Sequence, residues 1–240
     1  MDRSRRSSDT KTPGVAVAIV HRDLPEWVAG VGLADVATGR PATAETLFRI
    51  GSASKTFISL AVLELVDEGK LTLDTPLRKI APEIGFDNRW EATDPVRIVD
   101  LLEHTTGWDD IHLRDYAEQA PPGWTTRQGI DFCRRSRVSR WPPGTRSAYC
   151  NDGPAVAAYV VEKLSGERFE DYVGEHFFTP IGMQTATYFQ PPKGVPAAVL
   201  YHPDGTTPYP YWNILIRPAG SINASAEDMA AYVRFYLNRT

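Results

Sequence analysis

The sequence predicts an α+β fold in which a short antiparallel strand pair precedes a mainly helical chain. Three observations carry this. Residues 15–20 read VAVAIV, a largely β-branched run that is apolar at every position and suits a buried strand. Residues 52–68 repeat apolar side chains at three- and four-residue spacing, the period of a helix. The later apolar segments end in helix stops, at Gly166 and in the TPIGM segment 179–183.

Taken in order, HRDLP (21–25) reads as a turn, and Trp27, Val28 and Val31 read as a second strand pairing with the first. Gly30, Gly32 and Gly39 read as bends or loops beyond that strand. In the helix from Ser52 to about Glu68, Ile58, Ala61, Val62, Leu65 and Val66 form a stripe that Phe57, Leu60 and Leu63 widen. Gly69 is its expected stop. LTLDTPLRKIAPE (71–83) reads as a loop holding one helical turn, and Ile98–Glu103 as a short helix before HTTGW. Residues 109–147 carry Pro121, Pro122, Pro142, Pro143 and Gly144 and read as loop. Pro154–Leu164 is helical, with Val156, Tyr159, Val160 and Leu164 on one face. Phe169–Phe178 is a further helix, and residues 190–212 read as a long surface loop. Ser225 caps a last helix, with Asp228 three residues on as a capping-box variant and Met229, Val233 and Tyr236 as its apolar stripe.

This divides the chain into a flexible tail (1–12), a hairpin that is part of an α/β domain (13–51), a mainly helical region (52–212) and a return toward the α/β domain (213–240). Two strands alone are marginal, so the hairpin must pack on helices or find further strands beyond Thr240.

With 240 residues, 42% hydrophobic and 23% charged, the chain has the composition of a globular protein with a sizeable core. A net charge of −4 argues against nucleic acid or anionic lipid as a partner. Arg134, Arg135, Arg137 and Arg140 form a local basic cluster that reads as a solvated face. Cys133 and Cys150 are too few for a disulfide framework, and their spacing leaves open whether they pair. No run approaches the ~18 apolar residues of a membrane span. MDRSRRSSDTKTPG lacks the apolar centre of a secretory signal, which places the chain in the cytoplasm and leaves open a mature periplasmic or secreted form. The glycosylation patterns at Asn223 and Asn238 read as chance.

The stretch FRIGSASKTF (48–57) raises a chemical question. As a helix start, Ser52 is a candidate N-cap, and Lys55 then stands where a capping box has Glu or Gln. A cation there faces the positive end of the helix dipole. Burial and that dipole both disfavour the charged amine, the state in which a lysine cannot act as a base. A serine hydroxyl needs such a base, and three-residue spacing puts the two on one helix face. The structural alternative is a capping serine followed by a lysine stretched along the surface. Tyr149 and Asn151, just before the helix at Pro154, offer a second base or proton relay and an amide for a substrate carbonyl. A structural tyrosine and a capping asparagine are the plain alternatives. His104, Asp109, Asp110 and His112 match no metal-ligand spacing, so no metal or cofactor is expected. Trp108, Trp124, Tyr209, Tyr211 and Trp212 are candidates to line a substrate cleft.

FRIGSASKTF, DLLEHTTGW, YCND, FFTPIGM and RPAGSINASAEDMAAY occur in this order, and together they resemble the serine beta-lactamase-related family. That family comprises class C beta-lactamases, D-alanyl-D-alanine carboxypeptidases and esterases of the same fold. The likeness runs from about Pro13 to the last helix. It implies a beta-lactamase/transpeptidase-like fold, an antiparallel sheet flanked by helices plus a mainly helical region. It implies an acyl-enzyme on Ser52, with Lys55 and Tyr149 as bases, Asn151 on the substrate and the Ser52 backbone N–H as half of an oxyanion hole. The substrate would be a small amide or ester: a beta-lactam, a D-amino-acid peptide or a carboxylic ester. The middle residue of the second motif is often serine in the family; here it is Cys150, read as a small buried residue.

One departure matters. The family's third motif, a K/H-T/S-G segment on a strand, is missing where it is expected, and HTTG at 104–107 is no substitute. By the resemblance, the last three strands and a closing helix would follow Thr240. The expectation is therefore a chain lacking the C-terminal strands, with an exposed sheet edge open to self-association. Losing one oxyanion donor typically costs ~10²–10³ in rate. The alternative function is a truncated, inactive binding or scaffold protein that keeps the fold.

Overall fold

A computed structural model of the protein describes residues 11–22, 26–112, 115, 120–121 and 123–238. Most of the expected N-terminal tail and the end of the HRDLP turn lie outside the described residues. The chain divides into two compact units: a helical unit, Gly51–Phe177 with Asn213–Ser221, and a strand unit, Met1–Ile50 with Phe178–Trp212 and Ile222–Thr240.

In the helical unit, a 3₁₀ turn at Gly51–Ser54 leads into α1 (Lys55–Asp67). Phe57, Ile58, Ala61, Val62 and Leu65 are buried, as their spacing requires, but Leu63 is exposed, so the stripe is narrower than expected. Gly69 ends the helix in the left-handed region, at φ 72°. Two short helices follow, α2 (Leu77–Ile80) and α3 (Ile98–Leu102). A further helix, α4 (Thr126–Phe132), falls in the stretch expected to be loop. Its signal is a capping box: Thr125 Oγ accepts from the Gln128 N–H, and Gln128 Oε1 accepts from the Thr125 N–H. The prolines around it obscure those four residues.

The unit is centred on α5 (Asp152–Ser165), which packs against α1, α3 and α4. It begins two residues earlier than expected and ends at Gly166, at φ 82°. Gly153 allows α3 close: a Cβ there would lie 2.9 Å from the Leu101 carbonyl oxygen. A short helix, α6 (Phe169–Val173), leads into a π-helical turn at Gly174–Phe178.

In the strand unit, β1 (Gly14–Ile19) pairs antiparallel with β2 (Trp27–Asp35), from Gly14 opposite Gly32 to Ile19 opposite Trp27. β3 (Arg40–Pro41) adds to β2, leaving β1 at the edge of the sheet. Gly30 and Gly32 lie inside β2 and not in a bend beyond it. A Cβ on Gly30 would come within 2.3 Å of the Thr43 nitrogen, and Gly32 sits at φ 79°. The expectation that β1 is buried on both faces also fails. Val15 and Ile19 are exposed together with their partners Val31 and Trp27, so one face of the pair is uncovered among the described residues.

β4 (Phe48–Arg49) pairs with β7 (Asn223–Ala224), and β5 (Leu200–Tyr201) with β6 (Pro208–Tyr209), a small hairpin inside the expected surface loop. Asp204 sets the turn of that hairpin, its carboxylate accepting the Thr206 and Thr207 N–H groups. Asn223 is buried in β7, so its glycosylation pattern is inaccessible in the fold. A turn of helix, α7 (Thr179–Ile181), precedes Gly182 at φ 91°. The last described helix is α8 (Ala226–Leu237), and the expected capping box is present: Ser225 and Asp228 each accept the other's backbone N–H. It packs on β1 and β2 through small residues, with Ala226, Ala230 and Ala231 buried, while Val233, expected in the stripe, is exposed.

The units change close to 52 and at 212, but residues 178–212 group with the strands and 213–221 with the helices. Backbone bonds decide the difference. Leu47 N–H to Pro196 O and Val199 N–H to Ala34 O tie 196–199 to the strands. Ala120 N–H to Asn213 O ties 213 to the helical unit. No helix among the described residues is long and apolar enough to cross a membrane.

Candidate active site

The local geometry at Ser52 is not that of an N-cap. Gly51 at φ 57° turns the chain into the 3₁₀ segment, and Ser52 lies within it. The α-helix starts only at Lys55, after Ser54, whose hydroxyl donates to Gly51 O at 2.7 Å. In 3₁₀ geometry residues three apart eclipse each other. The 3₁₀ turn runs into the helix and brings Lys55 beside Ser52, with Lys55 Nζ donating to Ser52 Oγ at 3.1 Å. Ser52 is exposed and Lys55 half-buried.

The second motif meets the first here. Tyr149 Oη donates to Ser52 Oγ at 2.7 Å, and Lys55 Nζ lies 5.1 Å from the centre of the Tyr149 ring. Lys55 Nζ also donates to Asn151 Oδ1 and to the Ala219 carbonyl oxygen, each at 2.7 Å. The Asn151 side chain makes no capping bond to α5. Cys150, between them, is fully buried, and burial pushes its thiol up from the ordinary value, as suits a small interior residue and not a nucleophile.

Three supports of this arrangement were not read from the sequence as part of the site. The first is His104, at φ 60°. Its carbonyl accepts the Ala148 N–H at 2.9 Å, and its ring lies 4.4 Å from that of Tyr149. Burial, then the Lys55 charge, hold the imidazole below its ordinary pKa and keep it neutral. Gly107, at φ 76°, lets the same segment pass Trp141, whose carbonyl oxygen would lie 2.9 Å from a Cβ. The second is Ala219, in the RPAG segment. Arg217 anchors that segment by donating to Glu170 Oε1 at 2.7 Å and to Trp124 O at 3.1 Å. A backbone carbonyl carries no side-chain signal, so no sequence pattern points to it. The third is Asp110. Its carboxylate accepts from Asn151 Nδ2 at 3.0 and 3.2 Å and from the Asn151 backbone N–H at 2.9 Å.

Behind the site lies a buried charge pair. Arg137, expected on a solvated face, is 1% exposed, and its Nη1 is 3.7 Å from Asp152 Oδ1 at the start of α5. Nε and Nη1 donate to the Gly85 and Ile130 carbonyls at 3.0 and 2.7 Å, which is how the interior accepts the cation. Ser136 donates to the Asp152 carboxylate. Burial raises the pKa of Asp152 to about 6 against the opposing pull of Arg137.

The other candidates separate. No group of three metal-ligating side chains occurs among the described residues, and Asp110 is taken up by Asn151. Trp108 is fully buried and does not line a cleft. Trp124 packs at 5.9 Å against Phe132, and Tyr209 stacks on Trp212 at 5.8 Å within the strand unit. Cys133 and Cys150 are both buried free thiols.

A serine hydroxyl held by a lysine amine and a tyrosine hydroxyl on a helical unit, in a chain that also forms small antiparallel sheets, is the arrangement of a beta-lactamase/transpeptidase-like protein. Residues 4–240 match the Beta-lactamase family, and the chain belongs to it. It is 30% identical to penicillin-binding protein 4 of Amycolatopsis lactamdurans over 94% of this chain and 60% of that protein. It is 29% identical to a D-aminopeptidase of Brucella ovis over 96% of this chain and 43% of that protein. The structure of the octameric penicillin-binding protein homologue from Pyrococcus abyssi superposes with a TM-score of 0.87 at 28% identity, covering 98% of this chain and 55% of that one. The chain thus spans roughly half the length of these relatives.

Proposed function

We propose that the chain carries the nucleophile of a serine hydrolase that cleaves a small amide or ester through an acyl-enzyme on Ser52. The observation that carries this reading is that Ser52 Oγ lies within hydrogen-bond reach of two potential bases, Lys55 Nζ at 3.1 Å and Tyr149 Oη at 2.7 Å. In acylation, Oγ attacks the substrate carbonyl while its proton passes to Lys55 as the free amine or to Tyr149 as the phenolate. The C–N or C–O bond then breaks, and the leaving group takes a proton from the same pair. Water, deprotonated by that pair, hydrolyses the acyl-serine. Asn151 holds the substrate beside the serine, and the Ser52 N–H stabilises the oxyanion. The names of the relatives favour beta-lactams and D-amino-acid peptides as substrates, with carboxylic esters as the third class.

The test is incubation with a chromogenic cephalosporin, a p-nitrophenyl ester and a D-alanyl peptide, followed by intact-mass detection of the adduct. A covalent adduct on the wild type, absent in Ser52→Ala, is expected. No adduct and no turnover, with Ser52→Ala indistinguishable, leaves the binding or scaffold alternative. The uncovered Val15, Ile19, Trp27 and Val31 face and the octameric neighbour support self-association through the strand unit. Light scattering that gives a monomer at all concentrations would remove that part of the proposal.

A further inference from the structure

We infer that Asp110 is a positioning residue: by fixing the amide orientation of Asn151, it aims the free valence of Lys55 at Ser52. The inference rests on the reading of Ser52 and Lys55 given above. Nζ of Lys55 has three neighbours in hydrogen-bond range: Asn151 Oδ1, Ala219 O and Ser52 Oγ. The Ala219 carbonyl can only accept. Asn151 is ambiguous, because its amide can present either oxygen or NH₂. If Oδ1 faces Lys55, two N–H bonds of the lysine are used on Oδ1 and Ala219 O. The remaining tetrahedral position then points at Ser52 Oγ. That position is an N–H in the ammonium and the lone pair in the amine, so the amine is aimed to take the serine proton.

If the amide is reversed, Nδ2 faces Lys55 and donates into the lone pair of the amine, competing with Ser52 for it. Against the ammonium, the reversed amide sets donor against donor. Asp110 excludes this state. A carboxylate offers only acceptors, and both its oxygens lie within reach of Asn151 Nδ2, at 3.0 and 3.2 Å. Reversal would bring the amide oxygen against that anion. The Asn151 and Ile111 backbone N–H groups hold Oδ1 in place, at 2.9 and 2.8 Å, so the carboxylate is itself fixed. The hydrogen bonds of Asp110 thus go to Asn151 and Ile111 and not to the reacting atoms themselves.

The experiment compares Asp110→Ala, which has no acceptor, with Asp110→Asn, whose carbonyl oxygen can accept the same N–H. With the acylating substrate found for the wild type, Asp110→Ala is expected to lower the acylation rate constant at least about tenfold, as loss of an aligned general base does. Asp110→Asn is expected to recover most of that loss. The second readout needs no turnover. The side-chain amide ¹⁵N–¹H signals of Asn151, assigned by their loss in Asn151→Asp, are expected to shift and to exchange faster with water in Asp110→Ala. Unchanged Asn151 amide signals overturn the inference whether or not the chain acylates. So does wild-type acylation by Asp110→Ala. Absence of any adduct on the wild type, with Ser52→Ala identical, instead overturns the reading of function.

Discussion

The helical and strand units bury themselves in different ways. The helical unit hides large side chains completely: Phe57, Ile58, Leu65, Leu77, Leu101, Trp108, Ile130 and Phe169. The strand unit also buries large side chains, Leu47, Phe178, Met183, Tyr188 and Ile222, together with many alanines, but Val15, Ile19, Trp27 and Val31 stay exposed. A unit packed around a central helix buries most of its large apolar side chains, although Leu63, Phe132 and Val138 stay exposed. A sheet of short antiparallel strands has two faces and two edges, and one helix covers only part of that. The candidate nucleophile stands on the unit built around a central helix, and the strand pair with four exposed apolar side chains on one face belongs to the other.

The largest expected effect tests how dry the helical unit is. Asp152→Ala removes the partner of Arg137 and leaves a cation with both side chains' surroundings fully buried; destabilisation by about 3–5 kcal/mol is expected in urea unfolding. A loss under about 1 kcal/mol would mean that water reaches the pair and that the contrast between the units is overstated. Next, Leu65→Ala in α1 should cost about 2–5 kcal/mol, because Leu65 is fully buried in a packed helix interface. Thiol labelling sharpens the same point. Cys133 is pushed up to about 12, first by burial, so neither it nor Cys150 should react at pH 8 until the helical unit opens. The strand unit has no cysteine, so labelling faster than global unfolding would show local opening of the helices alone.

A pH effect of smaller size follows from His104. Its folded pKa is lowered from 6.5, so it contributes stability that is present above about 6.5 and lost as pH falls through the folded value. The advantage of wild type over His104→Gln should shrink on acidification, and a growing advantage would contradict the burial-driven shift. The smallest effect belongs to the strand unit. Ile19→Thr, on the uncovered face, should change stability by no more than about 0.5 kcal/mol. A loss of more than about 1 kcal/mol would mean that this face is covered in solution, and would favour self-association there.

Much of the helical unit was legible because its signals are local. The stripe of α1 and the stop at Gly166 depend on residues within a turn or two of each other, as does the capping box at Ser225 and Asp228 in the strand unit. α4 was hidden by its prolines despite the capping box at Thr125 and Gln128. Gly30 and Gly32 were misplaced because the reason for each, a close approach of backbone from another segment (Thr43 and Pro13), is not local to β2. Arg137 looked like one of four surface arginines, and only the fold shows which of them has buried carbonyls to bind.

By itself the sequence determined the order of motifs: a serine and a lysine three apart, a tyrosine and an asparagine about a hundred residues on, and helices begun and ended by local caps. Their catalytic roles remain a proposal, but side chains at these positions converge on Ser52 Oγ and Lys55 Nζ. The tertiary structure alone decided what surrounds them. Asp110, the His104 ring and the Ala219 carbonyl approach from distant segments, and the last is a backbone atom that any residue could supply. Local spacing is written along the chain, whereas contacts between segments 40 to 160 residues apart exist only once packing has chosen which faces meet.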